Sequence, residues 1–356
     1  MLKLPDLAIF IPAFLISVLG MIVIFSISVR DFNGQLMAFI IGIFFFILIT
    51  QIDIHIFKAL SPLAFIFTII VLLGTLIFAK AVRGSARWIE IGSLHLQTSE
   101  FLKPVLILFL AYLSQILTLK NFYHFLLSLG LLLIPSCLVF IQPDLGSTIV
   151  ILVLGLFMIL LMAPKKRFVL AVLLLFLVAL PVLWQNLAVY QKTRVLTFLE
   201  PEKDPLGSSY NQIQATIAAG SGQFFGKGLG KGTQSHLQFL PEKHTDFFFA
   251  SLAEELGFVG SFVVLLLFLI LNLRFLSLAS KTKDLALKGI FIGAFALFLF
   301  QPAVHIGINL GVLPVTGITL PFMSVGGSSM LSCWIILGFV SSASKEIKDE
   351  RSILLG

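Results

Sequence analysis

Charge is what this chain has least of. Only 12% of its 356 residues are Asp, Glu, Lys or Arg, about half the share of roughly 25% found in soluble domains. With 58% hydrophobic residues and a mean hydropathy of +1.08, that shortage excludes an ordinary water-soluble domain and indicates a polytopic membrane protein. Cysteine is scarcer still. Cys137 and Cys333 both lie inside apolar runs, so neither a disulfide framework nor a metal–thiolate centre is indicated. No small-residue cleavage site follows the first apolar run before Arg30 and Asp31, so that run is expected to remain as a membrane helix rather than to be removed as a signal peptide.

Apolar runs are what the chain has in quantity. Stretches near the roughly 20 residues that cross a bilayer occur at about 7–29, 35–51, 60–79, 99–118, 124–141, 147–163, 168–186, 247–272, 287–310 and 324–340. The expected fold is therefore all-α and polytopic. It has about ten transmembrane helices in a single domain over residues 1–356, with a large extracytoplasmic loop, 190–246, between helices seven and eight. An even count puts both termini on one side. The short loops there carry Lys58, Lys120, Lys165, Lys166, Arg167, Arg274, Lys281, Lys283 and Lys288, and the tail Lys345, Lys348 and Arg351, which by the positive-inside rule makes that side cytoplasmic.

Cations then stand against this bias in two polar segments, 79–103 and 190–246, on the expected outer side. An anionic ligand at that surface is the simplest account of them. In the first segment Arg83 and Arg87 flank a glycine turn before Trp88, and Glu100 and Lys103 stand three apart on one helix face. An interfacial tryptophan, snorkelling arginines and a local ion pair are the plain alternative. Gln142, Pro143 and Asp144 form a tight turn between two runs, where Asp144 is suited to cap the following helix.

The second segment is far longer than ordinary connections, which marks it as functional or disordered, and its composition favours order, with a short helical stretch expected between Tyr210 and Gly220, where Ile213 and Ile217 stand four apart. Its string GKGLGKGTQ presents backbone amides, Lys227 and Lys231 in a pattern suited to phosphate. The string LPEKHTDFFF carries His244, Thr245 and Asp246 to the start of the next helix, and Glu254 and Glu255 follow two turns deeper. Carboxylates at a membrane boundary are costly and mark function. Asp246 is either an N-cap with lowered proton affinity or a general base whose affinity is raised by the phenylalanines behind it. Finally, LPVTGITLPFMSVGGSS, which includes Ser324, interrupts the last two helices; non-helical backbone at membrane depth survives only when packed or lining a wet cavity.

Five strings in order, SARWIEIGSLHLQTSEFLK, QPDLGST, GSGQFFGKGLGKGTQ, LPEKHTDFFFASLAEELG and LPVTGITLPFMSVGGSS, closely resemble the SEDS (shape, elongation, division, sporulation) family of bacterial cell-wall proteins. The stretch RVLTFLEPEKDPLGSSY and the short tails are more similar to its elongation branch than to its division branch. The resemblance implies a peptidoglycan glycosyltransferase that polymerises lipid II at the outer face of the cytoplasmic membrane. Its partner would be a class B penicillin-binding protein. Membrane lipids surround it, and no nucleic acid is expected.

In this family the aspartate of the HTDF string, here Asp246, is the catalytic residue. Arg87, Trp88, Glu100, Lys103 and Asp144 also match the family's pattern. With Gln142, Lys227, Lys231, His244, Thr245, Glu254 and Ser324 they form the expected substrate-binding set. Thr98 and Val325 depart from the family's usual proline and tyrosine, which leaves the chemistry untouched and the local wall altered.

No cofactor is identified. A divalent cation (Mg²⁺ or Mn²⁺) is able to share in neutralising the pyrophosphate, but no ligand cluster in the sequence marks one. The partner is expected against helices eight and nine, where Gly257, Gly260, Gly289 and Gly293 permit close approach unless they serve internal packing. Two other classes compete. A lipid II flippase would place charge along a path across the midplane, whereas here the charge gathers at one face. A non-catalytic scaffold would not need the buried carboxylates.

Overall fold

The computed structural model describes residues 4–78, 88–91, 94–117, 121–162, 189–200 and 209–355, with scattered positions between 168 and 187. Among the described residues the regular structure is helical apart from one short hairpin. The helices are α1 (Leu7–Ile27), α2 (Val29–Gln51), α3 (Ile54–Phe78), α4 (Thr98–Ile116), α5 (Phe122–Ile141), α6 (Leu145–Met162), α7 (Val189–Leu199), α8 (Tyr210–Ser221), α9 (Thr233–His236), α10 (Phe248–Lys281), α11 (Leu285–Asn309) and α12 (Gly327–Leu355). The hairpin pairs β1 (Trp88–Ile91) with β2 (Leu94–Gln97), antiparallel, Trp88 opposite Gln97.

Among the described residues eight helices are long and apolar enough to cross a membrane, and α6 contributes a shorter apolar helix. The seventh expected span, 168–186, lies largely outside the described residues. One detail differs from the sequence reading. The break between the first two spans falls at Ser28, so Arg30 and Asp31 belong to the first turn of α2, where a carboxylate suits the helix dipole and Asp31 accepts from Ser28 Oγ at 2.5 Å. The polar segment 190–246 is ordered where it is described and holds α7, α8 and α9, α8 being the helical stretch expected at about 210–220.

The least apolar spans sit innermost. In α12 83% of the membrane-crossing window is buried, against 28% in α3, because serines and other polar groups need protein partners while apolar side chains can face lipid. Around α12 pack α2, α4 and α11, and Trp334 of α12 is fully buried against Phe10, Phe39, Phe46 and Phe322.

Two ion pairs fasten one end of the bundle, Arg274 to Asp6 at 2.5 Å and Lys58 to Asp284 at 3.7 Å. Asp284 caps α11 through the amides of Ala286 and Leu287. Burial works against its charge, but Lys58 and these amides outweigh burial and hold its carboxyl below the usual range.

The decisive irregularity is in α10. At Gly257 the backbone leaves the helix (φ 67°, ψ −164°) and the carbonyls of Glu254 and Glu255 lose their partners four residues on. The segment after α8 fills the gap. Lys227 N donates to Glu254 O (3.0 Å) and Gly228 N to Glu255 O (3.0 Å), while Phe258 N donates to Gln223 O (2.8 Å) and Val259 N to Phe224 O (3.1 Å). Such contact leaves no room for side chains. A Cβ on Gly222 would lie 1.9 Å from Ala253 O, and one on Gly257 would lie 2.2 Å from Gly226 N.

Gly257 is therefore an internal spacer rather than a partner contact. So is Gly293, where a Cβ would meet Met158 Sδ at 2.9 Å and Ile107. At Gly260 the nearest atom is Cβ of Leu256.

Gly257→Ala combines a positive φ with a backbone clash and should cost ~2 kcal/mol or more. Gly74→Ala, in open space within α3, should stay within about 0.5 kcal/mol of the parent. Thermal unfolding of the two variants in detergent checks this; equal midpoints would mean the inserted segment does not hold the break.

Candidate active site

The hairpin, the segment between α11 and α12, and the segment leading into α10 meet at the end of the bundle away from the Lys58–Asp284 pair. Asp246 sits here on a turn, half-buried, just ahead of Phe247, Phe248 and Phe249, which are buried. The N-cap position of α10 is Phe247, one residue after Asp246, and Phe247 makes no side-chain cap bond.

The turn is held from several directions. Asn309 Nδ2 donates to Asp246 O at 3.0 Å and Asn309 Oδ1 accepts from Ala250 N at 2.8 Å. Ser324 Oγ donates to Thr245 O at 3.0 Å and Val325 N donates to His244 O at 2.9 Å. Glu242 starts the turn at a positive φ of 50° and receives the Thr245 hydroxyl at 3.1 Å. Lys243 Nζ donates to Ser235 O. Burial pushes its ammonium below the usual lysine range, although Glu255 and Glu254 pull the other way.

Segment 313–325 links Asp246 to the buried ion pair of α4. A Cβ on Gly317, whose φ of 75° suits glycine, would lie 4.0 Å from Asp246 Oδ2, so the backbone passes directly over the carboxylate. Two residues on, Thr319 O accepts from Gln301 Nε2 at 2.9 Å, and Gln301 Oε1 accepts from Lys103 Nζ at 3.5 Å. Lys103 in turn pairs with Glu100 Oε2 at 2.6 Å, both buried. His244 Nε2 lies 3.9 Å from Asp31 Oδ2 on the other flank.

The remaining expected residues divide. Trp88 is half-buried in β1, and Arg87 lies outside the described residues. Asp144 is buried and performs the cap that its position suggested, accepting from Ser147 N at 3.1 Å, while Gln97 Nε2 donates to its other oxygen at 3.0 Å. Gln142 is buried and donates to Leu72 O and Thr75 Oγ1 of α3, a helix-to-helix tie.

Glu254 and Glu255 are fully buried and hold the glycine-rich segment in place. Glu254 receives Lys227 Nζ (2.8 Å), Gln234 N (2.9 Å) and Ser235 N (3.0 Å); Glu255 receives Ser26 Oγ (2.7 Å), His236 Nε2 (2.8 Å) and Gly230 N (3.1 Å). The amide nest expected for phosphate thus serves the chain's own carboxylates, and Lys227 is committed to one of them. Lys231 remains exposed and forms no ion pair among the described residues.

Sequence reasoning missed Gln35, Gln301 and Asn309. Each is buried, and each ties a helix to the backbone of the 313–326 segment or the Asp246 turn; Gln35 does so through Ser324 O and Gly326 N. Polar residues inside apolar runs were the available signal. Among the described residues only Asp53, His55 and Glu346 form a cluster with metal-ligand spacing, and it lies at the opposite end of α2 from Asp31.

Relatives with the same architecture are known. The Escherichia coli peptidoglycan glycosyltransferase MrdB is 34% identical over 342 residues, 93% of this chain and 92% of that protein. A probable peptidoglycan glycosyltransferase FtsW of Buchnera aphidicola is 36% identical over 306 residues, 82% and 84% of the two chains. A solved chain from work on how a peptidoglycan synthase complex coordinates polymerization and crosslinking superposes with a TM-score of 0.83 at 27% identity, covering 96% of this chain and 98% of that one. The sequence model of the FtsW/RodA/SpoVE cell cycle proteins matches residues 6–349, and the chain belongs to that family.

Proposed function

We propose that this protein is a peptidoglycan glycosyltransferase that polymerises lipid II into glycan strands at the outer face of the cytoplasmic membrane, with Asp246 as general base. The observation that carries this reading is the placement of Asp246, half-exposed on a turn fixed by Asn309, Ser324 and Val325 and backed by buried phenylalanines. A base needs such a setting: fixed geometry, partial desolvation and access to its substrate. Membership in a family whose relatives are named peptidoglycan glycosyltransferases supports the chemistry.

In the reaction Asp246 takes the proton of the acceptor sugar hydroxyl as that oxygen bonds to the donor's anomeric carbon, and the bond from that carbon to the pyrophosphate breaks. Negative charge builds on the leaving pyrophosphate. Arg87, Lys103 and Lys231 are the cations assigned to it, and His244 and Trp88 to sugar and headgroup contacts. Lys103 is buried and held by Glu100 and Gln301, so it acts from inside the wall of the site, by its field and not by direct contact.

Any divalent cation would share that charge neutralisation, drawing on Asp246 and on the pyrophosphate itself. The chain works in cell elongation beside a class B penicillin-binding protein, a reading supported by its likeness to a chain from a synthase complex. Both termini lie in the cytoplasm. A flippase is the less favoured alternative, because among the described residues the charged groups stand at the two ends of the bundle and not along a path through its middle.

Asp246→Asn keeps the volume and removes the basicity, so strand synthesis from purified lipid II should fall by about 10²–10⁴-fold with folding and membrane insertion intact. Near-normal synthesis would sink the general-base assignment. Charge reversal at Arg87 or Lys103 should impair lipid II use far more than reversal at Lys281 or Lys283, which stand at the other end of the bundle. Labelling of single cysteines with an impermeant reagent in intact cells supplies the topological half. Position 87 should react from outside and position 281 should not; the reverse pattern would invert the topology and remove the mechanism.

A further inference from the structure

A groove of about 740 Å³ runs along α1 and α2 under the tip of the glycine-rich segment. Its walls are Met21, Ile22 and Phe25 of α1 and Phe32 and Leu36 of α2, and Leu229 closes its outer end. From Val18 to Ser26 it follows α1 for about 12 Å at 1.5 Å per residue. We propose that this groove seats the hydrocarbon tail of the phosphate-headed lipid substrate, with Lys231 facing the phosphate. The proposal rests on the function proposed above and adds to it the place where the lipid is held.

Three observations carry it. The groove is a built feature, because its roof is clamped: Gly230 N donates to Ser26 Oγ at 2.8 Å and to Glu255 Oε1 at 3.1 Å, and Ser26 Oγ donates to Glu255 Oε1 at 2.7 Å. A helix face that meets only bulk lipid needs no polar roof tied to a fully buried carboxylate.

The groove also changes character at its mouth in the way an amphiphile does. Lys231 follows Gly230 directly and is exposed without an ion pair among the described residues, while the lining below is apolar. A phosphate at the mouth would meet that ammonium, and the attached chain would leave water for the groove.

Finally, the groove adjoins the Asp246 turn. Asp31, beside Phe32, is 3.9 Å from His244, and Gln35, beside Leu36, holds Ser324 and Gly326. A lipid seated here has its head delivered to the carboxylate that the reaction uses. The volume lies within the range of about 300–1,000 Å³ typical of ligand sites, enough for the head-proximal part of a long chain.

The test uses the full chain in nanodiscs and two diazirine probes, a polyprenyl diphosphate and a diacyl phosphatidylglycerol. Adducts of the prenyl probe should map to residues 18–36 and 229–231. Ile22→Trp, and Leu229→Trp at the half-exposed mouth, should each lower that labelling about tenfold at subsaturating probe, since each displaces about two methylenes from burial. Leu63→Trp on the exposed face of α3 should leave it unchanged.

Lys231→Gln should lower labelling by the diphosphate about threefold and leave labelling by the uncharged polyprenol alone. Labelling needs no turnover, so Asp246→Asn should label like the parent, and a parent protein that labels in the groove yet polymerises nothing would sink the proposed function and not the groove. Prenyl adducts outside the groove, equal labelling after both tryptophan substitutions, or equal competition by phosphatidylglycerol would each overturn the proposal.

Discussion

A helix that breaks inside a membrane protein exposes amides and carbonyls that hydrocarbon cannot satisfy, at several kcal/mol for each group left bare. The break at Gly257 is the constraint on which the rest of this structure depends. Residues 223–228 insert at the break and replace the lost bonds, and the side chains of Glu254 and Glu255, just before it, reach out to the next ten residues of the same segment. A polar segment that would otherwise lie over the bundle becomes part of it. The first two turns of α10 are thereby fixed relative to α1, and the His244–Asp246 turn that leads into them inherits that position.

Buried carboxylates then sort by what they bind. Glu254 and Glu255 hold the inserted segment, Glu100 pairs with Lys103, and Asp144 caps α6 and ties it to the start of α4. Each is buried at 6% exposure or less. Asp246 differs in lying at the edge, half-exposed, on a turn fixed chiefly through its backbone: Asn309 takes the Asp246 carbonyl, Ser324 that of Thr245 and Val325 that of His244. Such an arrangement fixes the position of the acid through the carbonyls of its turn, and preorganisation of this kind is what a proton-transfer group needs.

Much of this was legible in the sequence. The scarcity of charge and the apolar runs gave the membrane class, and the described parts of the two polar segments do gather at one end together with the segment between α11 and α12. The glycine-rich string was read with the right chemistry and the wrong anion. Its amides do receive carboxylate oxygens, but those of Glu254 and Glu255, a pairing that no local pattern reveals across about twenty-five residues. The break at Gly257 left no mark either, since one glycine in a long apolar run is ordinarily tolerated within a helix. Asn309, Gln301 and Gln35 carried a signal as isolated polar residues in apolar runs; their partners are backbone atoms of distant segments, which periodicity cannot name.

The account stands most directly on where Asp246 lies relative to the reacting atoms. A cryo-electron microscopy structure of the protein with a non-reactive lipid II donor and an acceptor strand would measure it. The predicted result is an Asp246 carboxylate oxygen within hydrogen-bond reach of the acceptor hydroxyl, about 2.6–3.2 Å, with the pyrophosphate beside the cations assigned to it. An acceptor hydroxyl out of reach of Asp246, even through one bridging water, with another group in place to take its proton, would contradict the account.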